Sequence, residues 1–164
     1  MSHNDQSLNI RPATSDDIPT ILTFIKNLAK YEKLSHTVVA TEDKLRATLF
    51  GEQPAAEVII AFLDDEPAGF ALYFSSYSTF LAQPGMYLED LYVNESLRGH
   101  SIGKALLRQL AQIAKARNYG RLEWSVLNWN QPAINFYESI GATPQDEWTV
   151  YRLTGDVLSQ LAEK

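Results

Sequence analysis

Apolar residues recur along the chain at two different spacings, which predict alternating strands and helices. The clearest helix begins near Ser101, because apolar residues return every three or four positions from Ile102 to Ala114, interrupted only by Gln109. Short apolar, β-branched runs bounded by turn residues predict the strands. The predicted strands are Leu8–Arg11, Val58–Leu63, Gly69–Ser76, Met86–Val93, Leu122–Leu127 and Trp148–Leu153.

Proline, glycine and capping residues place the other helices. Pro19 has no N–H and is tolerated only in a first turn, so we expect Asp16 or Asp17 to cap the first helix. The order of elements predicts one mixed α/β domain over residues 1–164, an antiparallel meander that enters a βαβ unit. The first helix is expected to run from its cap to near Tyr31. Three more helices are expected, from Thr41 to Gly51, from Pro132 to Ile140, and after Thr154.

Composition narrows the class of protein. The 164 residues include no cysteine, which excludes disulfides, thiolate metal sites and a cysteine nucleophile and fits a reducing cytoplasm. The formal charge of −6 disfavours nucleic acid as a partner and mildly attracts cationic small molecules. The polar first residues predict no signal peptide, and no apolar run is long enough for a membrane helix.

Several enzyme classes lack their motifs in this chain. No GxxxxGK[ST] loop is present for a nucleotide hydrolase. The three histidines, His3, His36 and His100, are widely scattered and no HExxH occurs, so we expect no catalytic metal.

A glycine-containing loop joins the strand Met86–Val93 to the clearest helix. Its sequence from Arg98 to Lys104 is RGHSIGK. Unpaired N–H groups at a helix start attract anions, and the two basic side chains add positive charge. From the pattern alone, the loop is either an anion site or merely a tight connection.

Glu89 is a candidate general base. In a regular strand, Glu89 and Asp90 face opposite sides of the sheet and cannot serve one site, so Glu89 shares its face with Leu91 and Val93. Apolar neighbours raise the pKa of a carboxyl group and suit it to accept a proton near neutral pH. The alternative is a solvated or ion-paired strand residue.

Tyr137 is a candidate general acid. Asn130 is placed to cap a helix whose first turn holds Pro132 and whose apolar face includes Phe136 and Tyr137. A phenol on such a face more often has a structural hydrogen-bond partner than a catalytic role, and both interpretations stay open.

These segments together resemble the GCN5-related N-acetyltransferase (GNAT) family. Arg98–Gly103 looks like the family's Arg/Gln-x-x-Gly-x-Gly/Ala loop, which holds the pyrophosphate of acetyl-CoA, and Asn130–Ala142 resembles its second cofactor-contacting block. Ser101 replaces the middle glycine of the loop, so we expect weaker cofactor binding. The resemblance runs almost end to end. Its finer matches, to the spermidine/spermine and thialysine (diamine) N-acetyltransferase branch, are Ile10–Thr14, Leu28–Ser35, Tyr87–Asp90 and Trp129–Asn130.

Within that branch, Tyr77–Phe80 and Val126–Gln131 look more like thialysine acetyltransferases than polyamine acetyltransferases. The polyamine enzymes carry an acidic residue where Ser78 stands here. The resemblance therefore implies that a long polyamine is held less well than a short diamine or a lysine-like amine. Spermidine, thialysine, another diamine, an aminoalkyl compound and a protein lysine all remain open as acceptors.

The resemblance also implies a fold, a mechanism and an assembly. The fold is a mixed, mostly antiparallel sheet of six to seven strands flanked by helices, with acetyl-CoA at the splay after the fourth strand. Glu89, through a water, takes a proton from the substrate amine, a backbone N–H of the Tyr87–Val93 strand stabilises the oxyanion, and Tyr137 protonates the leaving thiolate. Relatives in this branch are commonly homodimers. A non-catalytic acetyl-CoA sensor is the alternative, although both Glu89 and Tyr137 are present.

The cofactor-binding residues implied by the resemblance are Leu91, Tyr92, Val93, Arg98, Gly99, His100, Ser101, Ile102, Gly103, Lys104, Asn130, Pro132, Ala133 and Tyr137. The implied substrate-binding residues are Tyr31, Glu32, Glu89, Trp124 and Asp146, and Trp124 is equally compatible with a place in the core.

Overall fold

Five strands form a single sheet in the order β1-β2-β3-β4-β5 in the computed structural model, which describes residues 6–163. Residues 1–5, part of the polar segment that predicts no signal peptide, lie outside the described residues. The first four strands are antiparallel and β5 is parallel to β4. The strands are β1 Leu8–Pro12, β2 Glu57–Leu63, β3 Glu66–Ser78, β4 Gln83–Val93 and β5 Leu122–Trp124.

Helices cover both faces of this sheet. One face, called the α1 face below, packs Ile18, Ile21 and Phe24 of α1 against Phe70 and Tyr92 of the sheet. The other face, called the α3 face, packs against the buried side of α3. Arg117, which follows α3, forms a bidentate ion pair with Glu57 of β2. The helices are α1 Ile18–Tyr31, α2 Glu42–Leu49, α3 Ile102–Ala116, α4 Gln131–Ser139 and α5 Gly155–Ala162.

The chain divides into two compact units, one ending at Ser125 and one beginning at Val126. The first contains the whole sheet with α1, α2 and α3, and the second contains α4 and α5. Asp17 and Thr154 precede α1 and α5 as predicted. No helix within residues 6–163 is long and apolar enough to cross a membrane.

The C-terminal strand prediction is wrong. Residues Trp148–Leu153 have no strand structure, and β5 ends at Trp124 instead of Leu127. The described part of the chain therefore has five strands, not six or seven. The predicted segment is rich in β-branched and aromatic residues, but such a segment forms a strand only where a neighbouring strand supplies hydrogen bonds. Its side chains are largely exposed instead, with Trp148 at 77% and Tyr151 at 92%.

Candidate active site

The glycine-containing loop lies between β4 and α3 and is exposed from Arg98 to Ser101. Two of its residues have left-handed backbone, Gly99 with φ of 91° and Ser101, the N-cap of α3, with φ of 59°. Left-handed backbone is unfavourable for any residue with a Cβ. A glycine at position 101 would adopt this backbone with less strain than Ser101 does.

The surroundings of Gly103 indicate whether the start of α3 leaves room for a ligand. It lies in the first turn of α3, where glycine weakens a helix relative to alanine. A Cβ at this position meets only Val93 Cγ2, at an ordinary 3.8 Å, so packing within the protein does not require glycine. A Cβ would instead occupy space beside the first turn of α3. This arrangement suits a group that approaches the backbone closely, such as the diphosphate of coenzyme A.

The outer edge of β4 is left uncovered by β5 beyond Leu88. β5 pairs only with residues 86–88 of β4, whereas β4 continues to Val93. The N–H of Asn94 donates to Ala68 of β3, so by alternation the backbone groups of Leu91 and Val93 point away from β3. These are the two residues whose backbone is expected to pair with the pantetheine arm, and the carbonyl of Val93 accepts a hydrogen bond from Arg98 Nε at 3.3 Å.

A β-bulge changes the orientation of the acidic pair in β4. Tyr73 of β3 lies opposite Leu88, and its neighbour Leu72 lies opposite Asp90, so Glu89 is an extra residue without a partner. Leu72 packs against the core of the α1 face, which places Asp90 on that face. The expectation that Glu89 shares a regular strand face with Leu91 and cannot act beside Asp90 is therefore wrong.

Asp90 is the carboxyl group whose environment is strongly perturbed. Burial, followed by the charges of Glu89 and Glu32, raises the pKa of Asp90 from 3.8 to about 6. Burial also raises the pKa of Glu32, which follows directly after α1. Within residues 6–163, no Lys, Arg or His forms an ion pair with Asp90. The charges of Glu89 and Glu32 thus both act on Asp90.

Tyr31 connects this acidic group to the loop. The guanidinium of Arg98 lies 4.9 Å from the centre of the Tyr31 ring, and Arg98 also approaches Glu95 at 4.0 Å. Tyr31 and Glu32 are consecutive residues at the end of α1. The ring of Tyr31 contacts Arg98 of the loop, and the charge of Glu32 raises the pKa of Asp90.

The remaining predicted site residues are distributed as follows. Trp124 pairs with Leu88 in register and so lies on the α3 face, opposite to Asp90. His100 and Lys104 are exposed and Ile102 is buried. Within the second unit, Asn130 Oδ1 accepts a hydrogen bond from Ala133 N at 3.4 Å, which confirms the predicted cap.

The other residues of the second unit differ in exposure. Pro132 lies in the first turn of α4, Tyr137 is partly buried beside Phe136, and Asp146 is exposed in a loop.

Asp90 is the functional candidate that the sequence analysis dismissed. Strand alternation excluded it, and the only signal in its favour was its position beside Glu89. No group of three His, Cys, Asp or Glu in residues 6–163 is arranged to hold a metal ion, and a groove of about 440 Å³ lined by Arg11, Glu57 and Arg117 contains no predicted site residue.

The sequence pattern of the Acetyltransferase (GNAT) family matches residues 25–142, most of the chain. The chain belongs to the GNAT family. It is an acetyl-CoA-dependent N-acetyltransferase, and the α/β fold and the family resemblance noted in the sequence are both confirmed.

Two relatives of this family member are N-acetyltransferases by name. A thialysine N-epsilon-acetyltransferase of Bos taurus is 36% identical over 94% of this chain and 97% of its own length. An L-ornithine N5-acetyltransferase of Arabidopsis thaliana is 34% identical over 93% of this chain and 86% of its own length. Among solved structures, an integron cassette protein from the mobile metagenome of V. cholerae has a TM-score of 0.81 and 32% identity, covering 96% of this chain and 99% of its own.

Proposed function

We propose that the acceptor is a short diamine or a lysine-like amine. The observation that carries this proposal is the group of carboxylates formed by Glu32, Glu89 and Asp90, since an amine substrate is cationic at neutral pH. The relatives support the same class, because their names specify thialysine and ornithine as substrates. Ser78 is buried, and its Oγ accepts a hydrogen bond from Leu81 N, so this position offers no charge to a second, distant ammonium.

Acetyl-CoA supplies an acetyl thioester to this amine. The residues proposed to hold it are the backbone of Leu91 and Val93 and the loop from Arg98 to Lys104. Three features support this assignment: the uncovered edge of β4, the exposed loop from Arg98 to Ser101 and the absence of a packing requirement for Gly103. In the second unit, Asn130, Pro132 and Ala133 are assigned to the same cofactor from the family resemblance.

Two side chains are proposed to move protons. A carboxylate at the bulge removes a proton from the substrate ammonium, because only the neutral amine has a lone pair for attack. The family resemblance assigns this step to Glu89. The phenol of Tyr137 donates its proton to the departing thiolate, and the second proton that the attacking nitrogen loses on becoming an amide restores the phenol. Tyr31, Glu32, Trp124 and Asp146 are proposed to line the amine site, and Tyr31 and Glu32 have the stronger structural support.

The test is an acetylation assay on the purified chain. Thialysine, ornithine, putrescine, spermidine and a lysine-containing peptide are each supplied with acetyl-CoA, and release of the free thiol is followed. We expect kcat/KM for thialysine or ornithine to exceed that for spermidine by about tenfold or more, the effect of one charged hydrogen bond. Ser78→Asp keeps an acceptor for Leu81 N and should reduce this preference. Equal or better use of spermidine or the peptide by the parent contradicts the proposal.

Tyr137→Phe tests the proposed acid. Removing a general acid typically costs about 10²–10⁴-fold in rate. We expect such a loss in kcat with unchanged acetyl-CoA affinity by calorimetry, while Tyr151→Phe, a change at an exposed phenol of the same unit, keeps the parent rate. A parent-like rate for Tyr137→Phe assigns that phenol a structural role.

We also propose that the protein is a cytoplasmic homodimer. The support for a dimer is the exposed apolar surface of the C-terminal segment, which includes Trp148, Val150 and Tyr151 and continues into Val157 and Leu161 of α5. Apolar surface of this extent is typical of an interface. The support for the cytoplasm is the absence of cysteine in all 164 residues.

A further inference from the structure

The bulge separates the two acidic residues of β4 into different environments. Glu89, the extra residue, is exposed, whereas Asp90 is half-buried opposite Leu72 on the α1 face. A carboxylate suited to accept a proton near neutral pH has apolar neighbours and reduced solvation. In the structure, Asp90 meets this requirement.

Two neighbouring charges act on Asp90. Glu89 acts on it from its own strand and Glu32 from the end of α1, and both charges oppose its ionisation. Leu72 of β3 contributes no charge. Further along the same face, Tyr92 interacts with Asn27 of α1 and with the charge of Arg98. Asp90 therefore lacks a compensating cation within the described chain, and a substrate ammonium supplies one.

We propose that Asp90 is a further catalytic residue, which contacts the substrate ammonium and accepts its proton, while the charge of Glu89 attracts the ammonium and strengthens Asp90 as a base. The inference rests on the proposed function and changes the identity of its base. One N–H bond of the ammonium breaks, its electron pair stays on nitrogen, and the proton forms an O–H bond with a carboxylate oxygen of Asp90. After the acetyl transfer, that proton is released to bulk water.

A base at Asp90 and a base at Glu89 predict different pH profiles of kcat/KM. An enzyme whose base is Asp90 gains activity as pH rises through the pKa of that group, which produces an acid limb. Removing the charge of Glu89 shifts this limb to lower pH, since a nearby like charge raises a carboxyl pKa. Removing the Asp90 carboxylate abolishes the limb.

The experiment compares Asp90→Asn, Glu89→Gln and the exposed control Asp16→Asn with the parent on one good amine from pH 5 to pH 9. We expect Asp90→Asn to lose about 10²-fold or more in kcat/KM together with the acid limb. Glu89→Gln should lose about tenfold or less, with its limb shifted to lower pH, and Asp16→Asn should match the parent. Asp90→Ser, a second neutral variant, and circular dichroism of each protein separate a lost carboxylate from a lost fold.

Two results overturn the inference, and they are distinguishable from failure of the proposed function. If folded Asp90→Asn keeps the parent rate and acid limb while Glu89→Gln loses both, Glu89 is the base, as the family resemblance implies. If the parent enzyme acetylates none of the amines, the proposed function fails and the role of Asp90 fails with it.

Discussion

Asp90 and Glu89 are neighbouring acidic residues, yet their positions in β4 give them different properties. Asp90 is half-buried on the α1 face and Glu89 is exposed in the bulge. A half-buried carboxylate surrounded by two other carboxylates is unfavourable for folding when it is ionised. At the scale of single residues, the chain thus retains a destabilising group at its proposed active site, a common relation between stability and activity.

Asp90→Asn should stabilise the protein, and the gain should depend on pH. The raised pKa of Asp90 means that the native state binds more protons than the unfolded state between pH 3.8 and about 6. The contribution of Asp90 to the stability of the parent therefore falls as pH rises through this range, and the neutral variant has no such contribution at this position. The full shift corresponds to at most about 3 kcal/mol.

Urea unfolding at pH 4.5 and pH 7.5 measures this gain. We expect the difference in unfolding free energy between Asp90→Asn and the parent to be larger at pH 7.5. Asp16→Asn, at an exposed position, should show no such change. An advantage that is equal at both pH values means that Asp90 ionises as easily in the folded chain as in the unfolded one.

At the scale of elements, the sequence predicts most of the first unit. The strands and helices appear where periodicity placed them, because each buries one regular face against the sheet. The bulge was not predicted, since alternation assumes that every strand residue has a partner. The strand at Trp148–Leu153 was wrongly predicted because composition does not reveal whether a pairing edge is available. For the proposed site, the loop residues were proposed from sequence motifs, whereas Asp90 could be proposed only from the register of β3 and β4.

Two changes at the start of α3 should affect the fold and the cofactor differently. Ser101→Gly relieves left-handed strain and should raise stability by about 0.5–1 kcal/mol and also strengthen coenzyme A binding.

Gly103→Ala improves helix propensity and should raise stability by a similar, roughly 0.5–1 kcal/mol, while weakening coenzyme A binding. Thermal unfolding and calorimetry with coenzyme A measure both quantities. Unchanged coenzyme A affinity in folded Gly103→Ala would show that no ligand approaches this turn.

At the scale of the whole molecule, the two units differ in how completely they bury apolar residues. The first has side chains such as Phe70 and Leu106 that are fully buried, whereas neither α4 nor α5 has a buried residue. Exposed apolar residues concentrate in the segment after Glu147. The proposed dimer accounts for this difference, because a second copy can bury what one chain leaves in water.

Val150→Asp should weaken the proposed dimer. Val150 is 82% exposed in the C-terminal segment, and a charge there should be costly if a second copy buries it. Sedimentation of the parent should give the mass of two chains, with Val150→Asp shifted to one. Val39→Asp, the same substitution at a valine that is 73% exposed in the first unit, is the matched control and should sediment like the parent. A parent that sediments as a single chain contradicts the proposal.

The extra residue in β4 also bears on how this enzyme can diverge. If Glu89 were deleted, Leu88 would still pair with Tyr73 and Asp90 with Leu72. The pairing of β3 with β4 would then be regular, and the remaining side chains would keep their present sides of the sheet. The hydrophobic interior therefore places no demand on position 89. An acidic group can be gained, lost or exchanged there by insertion, deletion or substitution without repacking the protein, and acceptor preference can evolve separately from folding.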